Sequence, residues 1–323
     1  MRRLFANANY DFISMRRTAY MISAVAIFLS LAAAVFWQVR PDHSWINYGV
    51  DFTGGTLLQV EIDGVGDVAA IRGTVEDAVP GTQISAFGDA DQFLIRTPSQ
   101  AGEGATASSD AVASALRAEF GEENVQILAT EAVSAKVGNE LQGRALLAIV
   151  ISFLATLIYL AFRFEWRFGV ASVIATAHDI ILTLGVLALL RVEVSLATVA
   201  AVLTIVGYSL NDTIVVFDRV RENLHATRRP AFVDTLNRSI NETLPRTVLT
   251  SGTTLVTLLS LFIFGTGVIR DFSLILLIGI LLGTYSSIFV AAPALFEIEQ
   301  RVPHEPKKTV RRRSPAPKPT SVG

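Results

Sequence analysis

Residues 196–217 read LATVAAVLTIVGYSLNDTIVVF. The run from Leu196 to Phe217 is long and apolar enough to span a bilayer, yet it carries Gly207, Tyr208, Ser209, Asn211 and Asp212. An ionisable group inside a spanning helix costs about 2.5 to 3.5 kcal/mol on insertion scales, so it generally faces a protein interior and marks a route for ions or protons. Asp212 is therefore the leading functional candidate.

Working outward, the other 301 of the 323 residues keep the same apolar bias: 51% of the chain is hydrophobic and 17% charged. That composition points to repeated membrane crossing. Apolar runs of membrane-spanning length cover Ala19 to Trp37, Ala145 to Phe162, Gly169 to Leu190, Leu196 to Phe217, Thr247 to Phe264 and Phe272 to Phe296. One helix is followed by a soluble excursion over 38–143, then by five helices close together. The first run has Arg16 and Arg17 before it and Ala32 to Ala34 within it, the elements of a cleaved signal peptide. Its apolar length exceeds that of a signal core, which favours a retained anchor.

With six spans both termini share one side. The segment 1–18, the loop 218–245 and the tail 297–323 then lie together with Arg163, Arg167 and Arg246, which puts 19 of the 27 basic residues on that side. The positive-inside rule makes it the cytoplasm, so the expected location is the inner membrane with an extracytoplasmic 38–143. The chain has no cysteine, which excludes disulfides and thiolate chemistry. Its four histidines, His43, His178, His225 and His304, form no close metal-ligand pair, so neither a metal nor a cofactor is expected. A net charge of −2 gives no reason to expect nucleic acid.

The soluble excursion alternates short segments: a strand over Thr56 to Ile62, a helix over Asp67 to Val79, strands over Gln83 to Phe87 and Phe93 to Arg96, a helix over Ser109 to Phe120 and a strand over Val125 to Ala129. This β-α-β-β-α-β order is the ferredoxin-like unit. The fold class expected is an α-helical polytopic membrane protein with six transmembrane helices and one small α+β ferredoxin-like extracytoplasmic domain. No residue pattern in that domain is catalytic, and it reads as an interaction module rather than an enzyme. Ahead of its first strand, Asp51-Phe52-Thr53-Gly54-Gly55 reads by composition as a tight turn.

Depth arithmetic supplies Asp212 with a partner. About 16 residues into its helix, it lies roughly 24 Å below the outer surface of a core about 30 Å thick. Arg246, opening the fifth helix from the cytoplasmic side, lies at a similar level, and opposite charges at one depth offset each other's desolvation. His178 and Asp179 sit near mid-membrane in the third helix, as relay groups or as a structural pair clamped to the fourth helix through Asn211 or Ser209. Hydroxyls on the fifth helix, Ser251 among them, line a water path or serve packing. Gly279, Gly283, Ser287 and Ala291 form a small-residue stripe on the sixth. In the loop after the fourth helix, Phe232, Val233, Leu236, Ile240 and Leu244 form an apolar stripe, expected to lie on the membrane surface or to meet a partner. The basic tail is expected to be disordered and to favour anionic membrane lipid.

Five blocks then resemble a known family: Val50-Asp51-Phe52-Thr53-Gly54-Gly55-Thr56, Phe162-Arg163-Phe164-Glu165-Trp166-Arg167, His178-Asp179, Gly207 to Arg219, and Arg246 to Thr254. In this order they are similar to the signatures of the SecF family, the smaller half of the bacterial SecD/SecF pair, related to the resistance-nodulation-division transporters. The resemblance implies an accessory subunit of Sec protein export that pairs with SecD, associates with the SecYEG channel and often with YajC and YidC, and uses the proton motive force to pull preproteins across. It also implies that Asp212 and Arg246 are the residues tied to proton conduction. Two other functions stay open from the residues: a structural subunit with no ion route of its own, and a small-molecule exporter of the same superfamily. Proton and sodium coupling are equally compatible with a lone carboxylate.

Overall fold

The computed structural model describes residues 8–40, 44–87, 91–98, 107–226 and 231–302. In chain order its elements are α1 (Arg16–Gln38), β1 (Asn47–Tyr48), α2 (Val50–Thr53), β2 (Gly55–Ile62), α3 (Val68–Ala78), β3 (Gln83–Ala86), β4 (Gln92–Pro98), α4 (Ala107–Phe120), β5 (Val125–Val133), α5 (Ala135–Arg163), α6 (Trp166–Leu190), β6 (Glu193–Val194), α7 (Leu196–Ala226), α8 (Phe232–Phe264) and α9 (Gly267–Ser286). A π-helical turn, Ser287–Ala291, then leads into α10 (Ala292–Arg301). Among the described residues six helices are long and apolar enough to cross a membrane: α1, α5, α6, α7, α8 and the continuous rod from α9 to α10.

The soluble unit is a four-stranded antiparallel sheet in the order β3-β4-β2-β5, with α3 and α4 on one face. That order and the two crossing helices are those of the ferredoxin-like fold. Period-two alternation decides what each face carries. Leu58, Val60 and Ile62 of β2 and Phe93 and Ile95 of β4 point into a core closed by Ile71, Val75, Val112 and Leu116. The residues between them, Leu57, Gln59, Leu94 and Arg96, face the helix bundle instead. At the helix starts, Asp67 caps α3 by accepting from Ala69 N–H at 2.9 Å, and Ser134 caps α5 by accepting from Val137 N–H at 3.4 Å.

Within the bundle, α6, α7 and the rod from α9 to α10 are the most buried and α5 is the most exposed. Small residues set the closest helix contacts. Gly185 of α6 meets Ser30 of α1, and Gly279 and Gly283 of α9 meet Ile205 and Ser209 of α7. The other two members of the stripe, Ser287 and Ala291, are also fully buried, within the π turn that precedes Pro293. Ser286 donates to Asp179 at the bundle's polar centre, while Ser287 donates to Thr284 O within its own helix.

The apolar stripe after the fourth helix does not lie on a membrane surface. Residues 232–264 form one helix that runs through Pro245, and Leu236, Ile240 and Leu244 are buried with Phe12, Ile13, Phe217 and Leu295. The segment before α1 is tied to this stripe: Asn241 Oδ1 accepts from Tyr10 N–H at 2.9 Å, and Asn237 Oδ1 from Ile13 N–H at 3.0 Å. Burying the stripe against the chain's own N-terminal segment removes the apolar face that a surface helix would give to lipid. The basic tail from Lys307 onward, like Arg228 and Arg229, lies outside the described residues. Gly283→Val should push α9 away from the Ser209 backbone and lower stability by about 1–3 kcal/mol, read as a fall in thermal midpoint in detergent.

Candidate functional site

Asp212 is 3% exposed, on the face of α7 that meets α8. Its Oδ2 accepts one hydrogen bond, from Ser251 Oγ at 3.3 Å, and Ser251 Oγ in turn accepts from Thr284 Oγ1 at 2.8 Å. A hydroxyl row thus joins α7, α8 and α9 at the carboxylate. The direct pairing expected with Arg246 is not formed. Arg246 is exposed, makes no ion pair among the described residues and acts on Asp212 through space. The reason is that α8 begins at Phe232, so Arg246 stands mid-helix after Pro245 and turns toward a groove shared with Asp218, Arg219, Glu222 and Glu242. Other arginines at this end are matched: Arg163 with Asp218 at 2.6 Å, Arg219 with Glu242 at 2.6 Å and Arg238 with Glu242 at 2.9 Å.

A second buried carboxylate is served quite differently. Asp179, 1% exposed, accepts at Oδ2 from Ser209 Oγ at 2.5 Å and from Ser286 Oγ at 2.6 Å. Its Oδ1 lies 2.9 Å from His178 Nδ1, so with Asp179 ionised the imidazole carries its N–H there and Nε2 accepts from Ser23 Oγ at 3.1 Å. One cluster therefore ties α1, α6, α7 and α9. Ser209 is one of the two helix-four partners that the sequence offered; the other, Asn211, is exposed and makes no hydrogen bond among the described residues. Tyr208 instead donates to Thr254 Oγ1 at 3.2 Å. Ser23 and Ser286 carried no signal in the sequence, because a lone serine in an apolar helix gives no hint of its partner.

At the other end of the bundle, Asp51-Phe52-Thr53-Gly54-Gly55 does more than turn the chain. Val50–Thr53 form one helical turn, and Gly54 (φ 74°) and Gly55 (φ 132°) take backbone angles that suit glycine before β2 starts. Asp51 Oδ2 accepts from Leu196 N–H at 2.8 Å, so a carboxylate sits at the positive end of α7, the helix that holds Asp212. Ser195 and Thr198 complete that cap: Thr198 Oγ1 accepts from Ser195 N–H at 3.1 Å, and Ser195 Oγ accepts from Thr198 N–H at 3.4 Å. Phe52 is buried among Leu187, Ile205 and Ile275, and Thr53 Oγ1 donates to Gly49 O at 3.1 Å. Gly138 of α5 packs directly on the backbone of Phe52 and Gly54, where any side chain would collide.

No group of three or more metal-ligating side chains comes together among the described residues. The two carboxylates therefore define the polar chemistry within the membrane. Removing charge from Asp179 breaks up a hub with three donors, whereas Asp212 has one long hydrogen bond to lose. Asp179→Asn should cost about 1–3 kcal/mol in detergent unfolding, and Asp212→Asn less than about 1 kcal/mol.

Residues 112–301 match the family described as "Protein export membrane protein SecD/SecF, C-terminal", and residues 43–64 match the "SecD/SecF GG Motif". The Protein translocase subunit SecF of Gemmatimonas aurantiaca is 43% identical over 310 residues, covering 94% of this chain and 91% of that one. That of Vibrio alginolyticus is 40% identical over 290 residues, covering 90% of each. Among solved structures, SecDF from Thermus thermophilus, a translocon-associated membrane protein, superposes with a TM-score of 0.80 at 35% identity. The alignment covers 91% of this chain but 39% of the SecDF chain, so this chain spans less than half of that protein. Six membrane helices, the ferredoxin-like unit and matches along almost the whole length agree: the chain belongs to the SecF family of bacterial protein translocase subunits, multi-pass membrane proteins of Sec protein export.

Proposed function

We propose that this subunit works beside SecD and the SecYEG channel in the inner membrane, with its termini cytoplasmic, and draws on the proton gradient to drive preproteins across. Asp212 is the group that takes up and releases the proton. The observation that carries this reading is the contrast between the two buried carboxylates. Asp179 is saturated by two serines and a histidine and acts as a clamp, while Asp212 has a single donor and an Oδ1 that accepts nothing from the described residues.

A carboxylate so lightly held is neutralised with the loss of one hydrogen bond, whereas its charge, once formed, attracts the exposed Arg246. Protonation and release then favour different spacings of α7 and α8, the two helices that Asp212, Ser251 and Arg246 occupy. Each proton crossing the membrane contributes about 2.3 kcal/mol per 100 mV. The hydroxyls of Ser251 and Thr284 lead from the carboxylate toward α9 and supply a path for it.

The face of α7 and α8 that carries Asn211, Gly207 and Arg246 is open. An unpartnered amide and guanidinium do not sit well against lipid, so this face fits SecD as its cover. YajC and YidC are further partners of the family reading, and preprotein is its cargo.

The test is translocation into vesicles under separately imposed proton and sodium gradients, with SecD present. Wild type should be stimulated by the proton gradient, and Asp212→Asn should lose all of that stimulation while still assembling with SecD. Undiminished proton stimulation in the variant would rule the mechanism out. Stimulation by sodium in place of protons would reassign the coupling ion.

A further inference from the structure

The soluble sheet meets the outer end of the bundle across a small cavity of about 130 Å³. One ion pair crosses this junction among the described residues: Arg96 of β4 to Glu193 of β6, the short strand between α6 and α7. Both side chains are largely buried. Glu193 is seated on the backbone of Gly49, where even a methyl group would strike its carboxyl, and β1 pairs in parallel with β6 beside it. We propose that Arg96 and Glu193 form a releasable latch that sets whether the soluble domain lies on the bundle or lifts away from it.

Three features make the contact a latch rather than a weld. Arg96 Nε is buried without a hydrogen-bond partner, so the guanidinium is only partly satisfied in the docked position and undocking returns it to water. Charges around the pair are unbalanced: Asp51 of α2, Asp271 and Arg270 of α9, Glu131 of β5 and Arg191 surround the junction. If Arg96 is lost, Glu193 is left facing Asp51 and Asp271 with no cation from the sheet. Finally, both chain connections to the bundle, the α2 turn before Gly55 and Ser134 after Val133, leave the sheet at the corner where Gly55 pairs with Val133, so the sheet can pivot there without breaking its own ladder.

The latch is also linked to pH. Burial raises the Glu193 carboxyl above the ordinary glutamate range, Arg96 opposes this by charge and hydrogen bond, and Asp271 and Asp51 add to the rise. In the undocked form water surrounds Glu193 and its affinity for protons is ordinary. The docked form therefore binds the proton more tightly, and docking strengthens as pH falls and weakens as pH rises through the raised value. Acid on the domain's side of the membrane would close the latch.

The chain contains no cysteine, so spin labels at Glu123→Cys on the domain and Phe264→Cys on the bundle report one distance without background. In the full chain, reconstituted in lipid, the wild type should give a narrow distance at mildly acidic pH and a growing longer component at alkaline pH. Arg96→Ala should show the longer component several-fold enriched at alkaline pH, where Glu193 is charged and left facing Asp51 and Asp271. Glu193→Gln, which mimics the protonated acid, should keep the narrow distance and lose the pH dependence. Arg96→Glu combined with Glu193→Arg should restore the narrow distance, which separates latch loss from misfolding. A pH-independent wild type, or Arg96→Ala with the wild-type distribution, would overturn the proposal.

Discussion

A carboxylate held inside a hydrocarbon slab must either be surrounded by hydrogen-bond donors or be free to give up its charge, and the two buried acids of this bundle differ sharply in the donors they have. Asp179 takes the first course. Its donors come from α7 and α9, its histidine reaches α1, and the helices are thereby fixed at one depth relative to one another. Such a hub is costly to break, since each serine or carboxylate removed strands the rest in a medium without water. The close packing at Gly185, Gly279 and Gly283 follows from it, because the polar centre is reached only when the helices approach closely.

Asp212 sits about one turn further along α7 than Ser209, on the side that meets α8, and its setting is the opposite. The rigid clamp holds α7 against α6 and α9, which leaves α8 as the element free to respond at Asp212. Helix α8 is suited to that role: Pro245 removes one rung of its hydrogen-bond ladder directly before Arg246, and its far end carries hydroxyls bonded back to their own helix. On the proposed mechanism, fixed and responsive charge divide between two neighbouring carboxylates. At the other end of α7, Asp51 caps this helix from the turn before β2, beside the place where Arg96 and Glu193 meet.

Much of this was legible in the sequence, and the failures have physical causes. Six apolar runs and a β-α-β-β-α-β pattern are local signals, and the helices and the sheet order agree with them. The buried acids Asp179 and Asp212 were also visible, since a charge in an apolar run stands out. Donors were harder to see: Ser23 and Ser286 are ordinary residues until the helices are placed side by side. Depth arithmetic expected Arg246 to face Asp212, but the helix begins at Phe232 rather than at Thr247, and Arg246 turns toward the groove beside Glu242 instead. The stripe from Phe232 to Leu244 was recognised as amphipathic, but its partner was a segment more than 200 positions earlier. Arg96 and Glu193 gave no signal at all, for their pairing depends on how two folded units meet.

Proton occupancy at Asp212 can be observed directly by infrared difference spectroscopy of the membrane-reconstituted protein across a pH titration. A protonated-carboxyl stretch that appears and disappears with pH, is absent from Asp212→Asn and persists in Glu193→Gln would identify Asp212 as the proton-binding group. If the titrating band survived in Asp212→Asn, or if no intramembrane carboxyl changed protonation, the division between a fixed and a proton-binding carboxylate would be contradicted.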